Sequence, residues 1–336
     1  MTIIFTSSGR RNYLISYFKK IIGDSGKIIA LDCKVTAPSL QVADVGILVP
    51  NISSENYIPE LKKIILKYKA DLLIPLNDLD LPVISKHKHS LEAIGVKVIV
   101  SDKRIIDITL DKWKSFCFLK EANIDTPETF LNIEDALSSV NSNKISFPLI
   151  VKPRWGSGSI EISKVNDELE LRLTYSLLKL KKHRMILHEL NEENSDDFII
   201  IQEFIEGQEY GMDILNDFNG SFVKAFVRKK IAMRSGETDQ AQTVSDEKFE
   251  SIGEKLGRIT GHIGIMDCDF FVSNEKIFML EMNPRFGGGY PFSHAAGINI
   301  PEIYIYWHLG KNNIEKYLNY NTGLSFAKYD SIISVK

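Results

Sequence analysis

Met266-Asp267-Cys268-Asp269-Phe270-Phe271-Val272-Ser273-Asn274-Glu275-Lys276-Ile277-Phe278-Met279-Leu280-Glu281-Met282-Asn283-Pro284-Arg285 is the stretch that decides how this chain is read. Two apolar, β-prone runs flank a short polar break, the pattern of a β-hairpin. With the turn centred near Glu275, Asp269 falls opposite Glu281, and strand alternation puts Asp269, Glu281 and Asn283 on one face. Directly opposed residues carry Cβ atoms roughly 5 Å apart, and two carboxylates that close repel unless a cation lies between them. All three side chains offer oxygen, the donor preferred by Mg²⁺, which is usually held by one or two carboxylates plus substrate phosphates. Arg285, just past the hairpin, suits a phosphoryl oxygen. The whole pattern predicts a Mg-nucleotide site, although a solvated hairpin with scattered acids would account for Asp269 taken alone.

Composition narrows the remaining classes. A chain of 336 residues buries a substantial core and divides into two or three subdomains. Its 44% hydrophobic and 25% charged residues are those of an ordinary soluble globular protein. A net charge of -3 gives no general pull toward nucleic acid or an anionic membrane, so any basic site is local. Cys33, Cys117 and Cys268 are odd in number, far apart and without a CxxC pair, which argues against a disulfide framework or zinc site and fits a reducing cytosol. Met1 to Phe5 is too short an apolar run for a signal peptide, and no segment approaches the roughly 20 apolar residues of a membrane span. The expectation is a cytoplasmic protein without nucleic-acid or membrane partners.

Outward from the hairpin, residues 1 to about 105 alternate apolar strands with helices. The strands are Thr2–Thr6, Lys27–Asp32, Asp71–Pro75 and Val96–Val100; the helices are Asn12–Ile22, Ile58–Tyr68 and Leu81–Ile94. Continuous apolar strands between helices predict a doubly wound parallel sheet, whose ligands bind beyond the strands' carboxyl ends. Ser7–Arg11, Asp32 and Asn77–Asp80 fall there; Arg10 and Arg11 suit either an anionic substrate or a structural ion pair. A helix from about Asp111 to Ala122 follows, capped by Thr109 or Asp111. Strands are expected at Pro148–Pro153, Ile160–Ile162 and Phe198–Glu203, with a polar helical region over about 167–182. The remainder reads as antiparallel sheet with helices, including Tyr210–Leu215, Phe222–Arg228, the helix Asp246–Gly261 and the opening hairpin.

Three further segments carry phosphate-binding chemistry. Gly156-Ser157-Gly158-Ser159 joins two strands, and its small residues let backbone amides form a nest for phosphate oxygens; a tight hairpin with glycines chosen for positive φ is the alternative. Lys152 lies inside an apolar strand, where a lone ammonium is costly; a phosphate, a pairing glutamate or snorkelling would relieve it. Glu203-Phe204-Ile205 follows another apolar strand and offers backbone groups to an adenine edge, with Phe204 or Ile205 packed on the ring and Glu209 accepting from ribose; a surface loop is the alternative. The basic run Arg228–Thr238, between a strand and a helix, is either a solvated face or, through Arg234 and Thr238, a site for transferring phosphate or a carboxylate. No Ser-His-Asp triad or Cys-His pair is recognisable, and the GxGxxG spacing of a dinucleotide fold is missing.

Taken in order, these segments resemble the ATP-grasp superfamily, most closely the branch containing the halves of the carbamoyl-phosphate synthase large subunit. The resemblance covers nearly the whole chain and implies a pre-ATP-grasp α/β domain over 1–106, a small or lid subdomain with a linker helix over 107–204, and a C-terminal subdomain carrying the metal site over 205–336. It implies ATP as cosubstrate with Mg²⁺, or Mn²⁺, on Asp269, Glu281 and Asn283. Lys112, opening a helix after Asp111, and Lys152 with the Gly156–Ser159 loop would then bind phosphates, and Glu203, Phe204, Ile205 and Glu209 the nucleoside. Arg285, Arg234 and Lys152 would be catalytic, and Arg10, Arg11, Asp78 and Thr238 would hold substrate. With one unit where carbamoyl-phosphate synthase joins two, the implied activity is an ADP-forming carboxylate–amine ligase working through an acyl phosphate. Its partners would be a small-molecule carboxylate and an amine, and its assembly a homodimer. Carboxylate or carbamate phosphorylation without amide formation, and nucleotide binding without turnover, are the alternatives.

Overall fold

In the computed structural model, which describes residues 1–156, 160–181 and 197–335, the chain builds three sheets. The first is parallel and five-stranded: β1 (Thr2–Thr6), β2 (Lys27–Asp32), β3 (Val45–Leu48), β4 (Leu72–Pro75) and β5 (Lys97–Val98), in the order β3-β2-β1-β4-β5. Helices α1 (Asn12–Ile22), α2 (Pro38–Val42), α3 (Tyr57–Tyr68) and α4 (Asp80–Glu92) make the crossovers. Ile3, Ile4 and Phe5 are wholly buried because both faces of the sheet are covered, the reason such strands read as unbroken apolar runs. The expected doubly wound sheet is thus present, with its strand order reversing between β1 and β4.

Two details differ. The strand expected over Val96–Val100 is shorter, Lys97–Val98, with the Ile99 amide still donating to the Leu73 carbonyl at 2.9 Å and Ile99 to Ser101 staying buried. Sequence reading also missed α2 and β3. β3 is an edge strand whose residues alternate half-buried and exposed, so its apolar signal is diluted.

α5 (Lys103–Leu110) and α6 (Lys112–Glu121) lead out of this sheet. Asp111, not Thr109, caps α6, its carboxylate accepting from the Trp113 and Lys114 amides while also binding Arg154 at 2.7 Å. The second sheet is antiparallel, β6 (Thr129–Phe130), β7 (Leu149–Pro153), β8 (Ser163–Val165) and β9 (Ile199–Glu203) in the order β6-β9-β7-β8. It is covered by α7 (Ile133–Asn141) and α8 (Glu168–Leu180). The strand expected over Ile160–Ile162 lies at Ser163–Val165 instead; Glu161 takes a φ of 57°, and both isoleucines are exposed.

The third sheet holds β10 (Gln208–Asn216), β11 (Phe222–Arg234), β12 (Glu237–Val244), β13 (Gly264–Ser273), β14 (Lys276–Asn283) and β15 (Ser325–Ala327), ordered β14-β13-β10-β11-β12-β15. α9 (Glu247–Thr260) packs on β10 and β11, and α10 (Tyr290–Ala295) and α11 (Ile300–His308) pack toward the first sheet. The strand expected over Phe222–Arg228 is longer: β11 runs on through the basic run to Arg234 and turns at Ser235-Gly236, both with positive φ. Antiparallel lobes following a parallel-sheet domain therefore make an α/β and α+β molecule. No described helix is long and apolar enough to cross a membrane.

Candidate active site

The opening hairpin folds as its pattern implies. Asn274 and Glu275 take φ of 48° and 62°, the paired positive values of a tight two-residue turn. Asp269 then pairs with Glu281 and Asp267 with Asn283. These four side chains face a cavity of about 230 Å³ between the third sheet and the carboxyl ends of the first. Its walls also include Arg285, Thr238, Asp78 and Arg11, so the structure brings together seven of the expected site residues from both ends of the chain.

Four charged residues in the walls were not foreseen: Asp267, Arg228, Lys230 and Glu237. Alternation would have found Asp267, which lies two residues before Asp269 and shares its face. Across the sheet the residues form rows, Glu281-Asp269-Gly211-Arg228 and Asn283-Asp267-Asp213-Phe226. Gly211 is the gap in the first row. A Cβ there would stand 2.9 Å from Arg228 Nε, so its absence lets the Arg228 side chain lie across β10. The guanidinium reaches Asp213 at 2.7 Å and Asp267 at 2.6 Å, both buried, and Ser293 Oγ donates to Asp213 at 2.6 Å. Lys230 Nζ binds Asp269 and Glu209, each at 2.6 Å. Burial opposes its charge, yet the two acids outweigh burial and hold its pKa above the ordinary lysine range. The cation beside Asp269 is therefore a lysine.

Glu281 is different. It has no ion-pair partner among the described residues, and burial, with Asp269 adding to it, raises its carboxyl's pKa against the pull of Lys112 and Lys152. Those lysines come from the second sheet's side. Lys112 Nζ donates to the Gly156 carbonyl, and Lys152 Nζ donates to Gln202 Oε1 at 2.8 Å. Gln202 in turn donates to Thr129 Oγ1 at 3.0 Å. Neither a glutamate nor snorkelling thus accounts for Lys152; a neutral amide holds it. Burial, then repulsion from Lys112, pushes its pKa down to about 7 despite Glu281.

This donor set fits Mg²⁺. Glu281 is an acid short of a counter-charge, Asp269 is opposite it, Asn283 adds an amide oxygen, and all are hard donors. Among the described residues no group of three or more His, Cys, Asp or Glu side chains converges as a metal cage. An ion that shares its shell with phosphates and water needs no such cage.

Arg285 stands 2.8 Å from Asp78 through Nε and 2.9 Å through Nη2, with Asp267 at 3.4 Å. Burial disfavours its charge, but Asp78 and Asp267 more than restore it. The residue expected to face phosphate is thus gripped by the residue expected to face substrate. The Arg11 guanidinium donates to the Tyr13 hydroxyl at 3.1 Å.

Other expected residues lie elsewhere. Arg234 is half exposed and bound to Asp330 and Asp239 outside the cavity. Two bulges in the β11–β12 ladder, around Ile231 and Asp239, shift the alternation, so Met233 faces the cavity in its place. Arg10 is exposed and absent from the lining. Glu203 accepts from the Glu128 amide, Phe204 lies under the Lys164 ammonium at 3.9 Å, Ile205 is buried, and Glu209 holds Lys230; none lines the cavity. Gly156 is described, with a φ of 152°, whereas Ser157, Gly158 and Ser159 lie outside the described residues.

Comparison with known proteins adds context to this geometry. The profile of a family described as ATP-grasp domain matches residues 109–289, more than half the chain, and that of a PylC-like N-terminal domain matches residues 3–99. The carbamoyl phosphate synthase large chain of Campylobacter jejuni is 26% identical over 264 residues, 74% of this chain and 22% of that protein. The same enzyme's large chain from a Thermoanaerobacter species is 29% identical over 241 residues, 68% of this chain and 21% of its own. The chain spans about a fifth of the length of these curated relatives. Among solved structures, the biotin carboxylase–β,γ-ATP complex from Campylobacter jejuni superposes with a TM-score of 0.75 at 18% identity, covering 96% of this chain and 74% of that one. The L-amino acid ligase of Bacillus licheniformis gives 0.72 at 15% identity, covering 96% and 79%. These likenesses are of fold.

Proposed function

We take the chain's membership of the ATP-grasp domain family as the premise and propose that it is an ATP-dependent, ADP-forming ligase joining a carboxylate to an amine through an acyl phosphate. One observation carries the reading: Glu281, an acid without an ion-pair partner among the described residues, is faced by Lys112 and Lys152 from the second sheet's side across from the Asp269–Asn283 cluster. That arrangement suits a phosphate chain with a cation on its far side.

In this proposal Lys112, Lys152 and the Gly156–Ser159 loop bind and orient the phosphates. Glu203, Phe204 and Ile205 receive the adenine and Glu209 the ribose. Mg²⁺, or Mn²⁺ in its place, held by Asp269, Glu281 and Asn283, would neutralise charge on the phosphates. Arg285 stabilises the transferring phosphoryl group, while Arg11, Thr238 and Asp78 position the carboxylate and its acceptor. Carboxylate oxygen attacks the γ-phosphorus, and an amine then displaces phosphate from the acyl phosphate. No protein nucleophile is required. Arg234 and Arg10 are left out of this set because of where the structure puts them. The proposal places the enzyme in the cytosol, where Cys33, Cys117 and Cys268 stay reduced, as a homodimer.

The test is ADP release from MgATP across a panel of carboxylates paired with amines. Lys152→Ala, Glu281→Gln and Arg285→Ala should each lower substrate-dependent release by about 100-fold or more while keeping the native circular-dichroism spectrum. Near-normal turnover in all three would sink the site assignment. Acyl phosphate as the end product would make the protein a kinase, and AMP with pyrophosphate would overturn the mechanism.

A further inference from the structure

α8 is apolar on two sides. Leu171, Tyr175 and Leu178 are buried in the core beneath the second sheet. Leu169, Leu173, Leu177 and Leu180 are 67%, 62%, 52% and 80% exposed. They recur at i, i+4, i+8 and i+11, a single stripe roughly opposite the buried one. Such a row differs from the isolated surface leucines of any protein. Exposed Ile160 and Ile162 extend the patch, because Glu161 between them binds Lys181 at 2.6 Å, at the end of the helix.

The charges bordering the stripe are ordered. Acids Glu168 and Glu170 stand in the first turn; Lys179 and Lys181 stand at the other end. At 3.6 residues per turn, Glu170 and Lys181 flank the leucines on one side, whereas Glu168 and Lys179 lie further round on the other, toward the buried face. We propose that α8 packs antiparallel against α8 of a second copy of this chain, about a two-fold axis close to Thr174. Leu169 then meets Leu180 of the second copy, and Leu173 meets Leu177. On the near border an acid faces a lysine, Glu170 opposite Lys181. A two-fold axis repeats every one of these contacts. Parallel packing would set acid against acid and lysine against lysine. Arg172 and Glu161 already bind Glu168 and Lys181 within one chain but leave both acids of the first turn exposed to a neighbour. The dimer joins the two sheets that carry Lys152, and it stands whether or not the ligase reading does.

The patch is smaller than a permanent interface, so association belongs in the micromolar range. Sedimentation velocity of the whole chain at up to about 100 µM should show a monomer–dimer equilibrium. Leu173→Glu with Leu177→Glu should give monomer at every concentration with an unchanged melting temperature, since both leucines are exposed. Glu170→Lys should weaken the dimer and Lys181→Glu added to it should restore it. Orientation is read in a Cys33→Ser background: an oxidised equimolar mixture of L169C and L180C variants should cross-link, and either alone should not. Wild-type monomer throughout, or a dimer that survives the double glutamate variant, would overturn the proposal. Cross-linking of L169C with itself would overturn the antiparallel geometry.

Discussion

Lys152 occupies a strand core and faces repulsion from Lys112, with one amide to hold it. An unfolded lysine titrates near 10.5 and this one near about 7, so between those values the unfolded chain binds the extra proton. Stability therefore rises with pH across the window, and the handicap is complete below it. Lys152→Met removes the handicap together with a hydrogen bond whose worth does not vary with pH. The difference in melting temperature, variant minus wild type, should fall as pH goes from about 7 to about 10. A constant difference would show that Lys152 stays charged in the folded chain. The strand Leu149–Pro153 and its buried lysine were legible because a charge in an apolar run contradicts its setting. Gln202 as its holder was not, since that contact joins residues 50 apart in the chain.

At the level of elements, the hairpin was legible because period-two alternation and a polar break mark it, and Asp269 does pair with Glu281, but through a bulge at Leu280 that the pattern did not show. Its turn still carries strain: Glu275, exposed, holds a φ of 62° that glycine adopts without cost. Glu275→Gly should raise stability by about 0.5–1 kcal/mol in urea titration, the usual penalty of a left-handed residue less the entropy glycine adds to the unfolded chain. Unchanged or lower stability would mean that the turn is relaxed. β11 shows the opposite case. Its basic residues left a solvated face open as a reading, because Arg228 and Lys230 point inward to partners Asp213, Asp267, Asp269 and Glu209 that lie on other strands. Bulges then exchanged Met233 for Arg234 at the cavity, and no single-strand pattern encodes a bulge.

Over the whole molecule, the doubly wound sheet and the antiparallel lobes followed from strand spacing, whereas the way they meet did not. Asp78 and Arg285 make that junction, a bidentate pair whose side chains are 8% and 9% exposed. Asp78→Asn leaves the buried Arg285 with the longer 3.4 Å contact to Asp267, so it should lower unfolding free energy by about 3 kcal/mol. Pairing it with Arg285→Met should recover part of the loss. An unchanged urea midpoint for Asp78→Asn would show that the two domains hold together by apolar packing alone.

The same contact has a consequence for the newborn chain. Asp78 and Arg285 are 207 residues apart. At about 5–20 residues per second, a ribosome delivers the arginine roughly 10–40 s after the aspartate. The parallel sheet can close its own pairings long before then, because its strands all lie before residue 99. For that interval the Asp78 carboxylate, beyond the carboxyl end of β4, awaits Arg285. The cavity thus comes into being only once Gly289, the last residue of its walls, has been made, and a nucleotide that fills it would report that both of its sides have emerged.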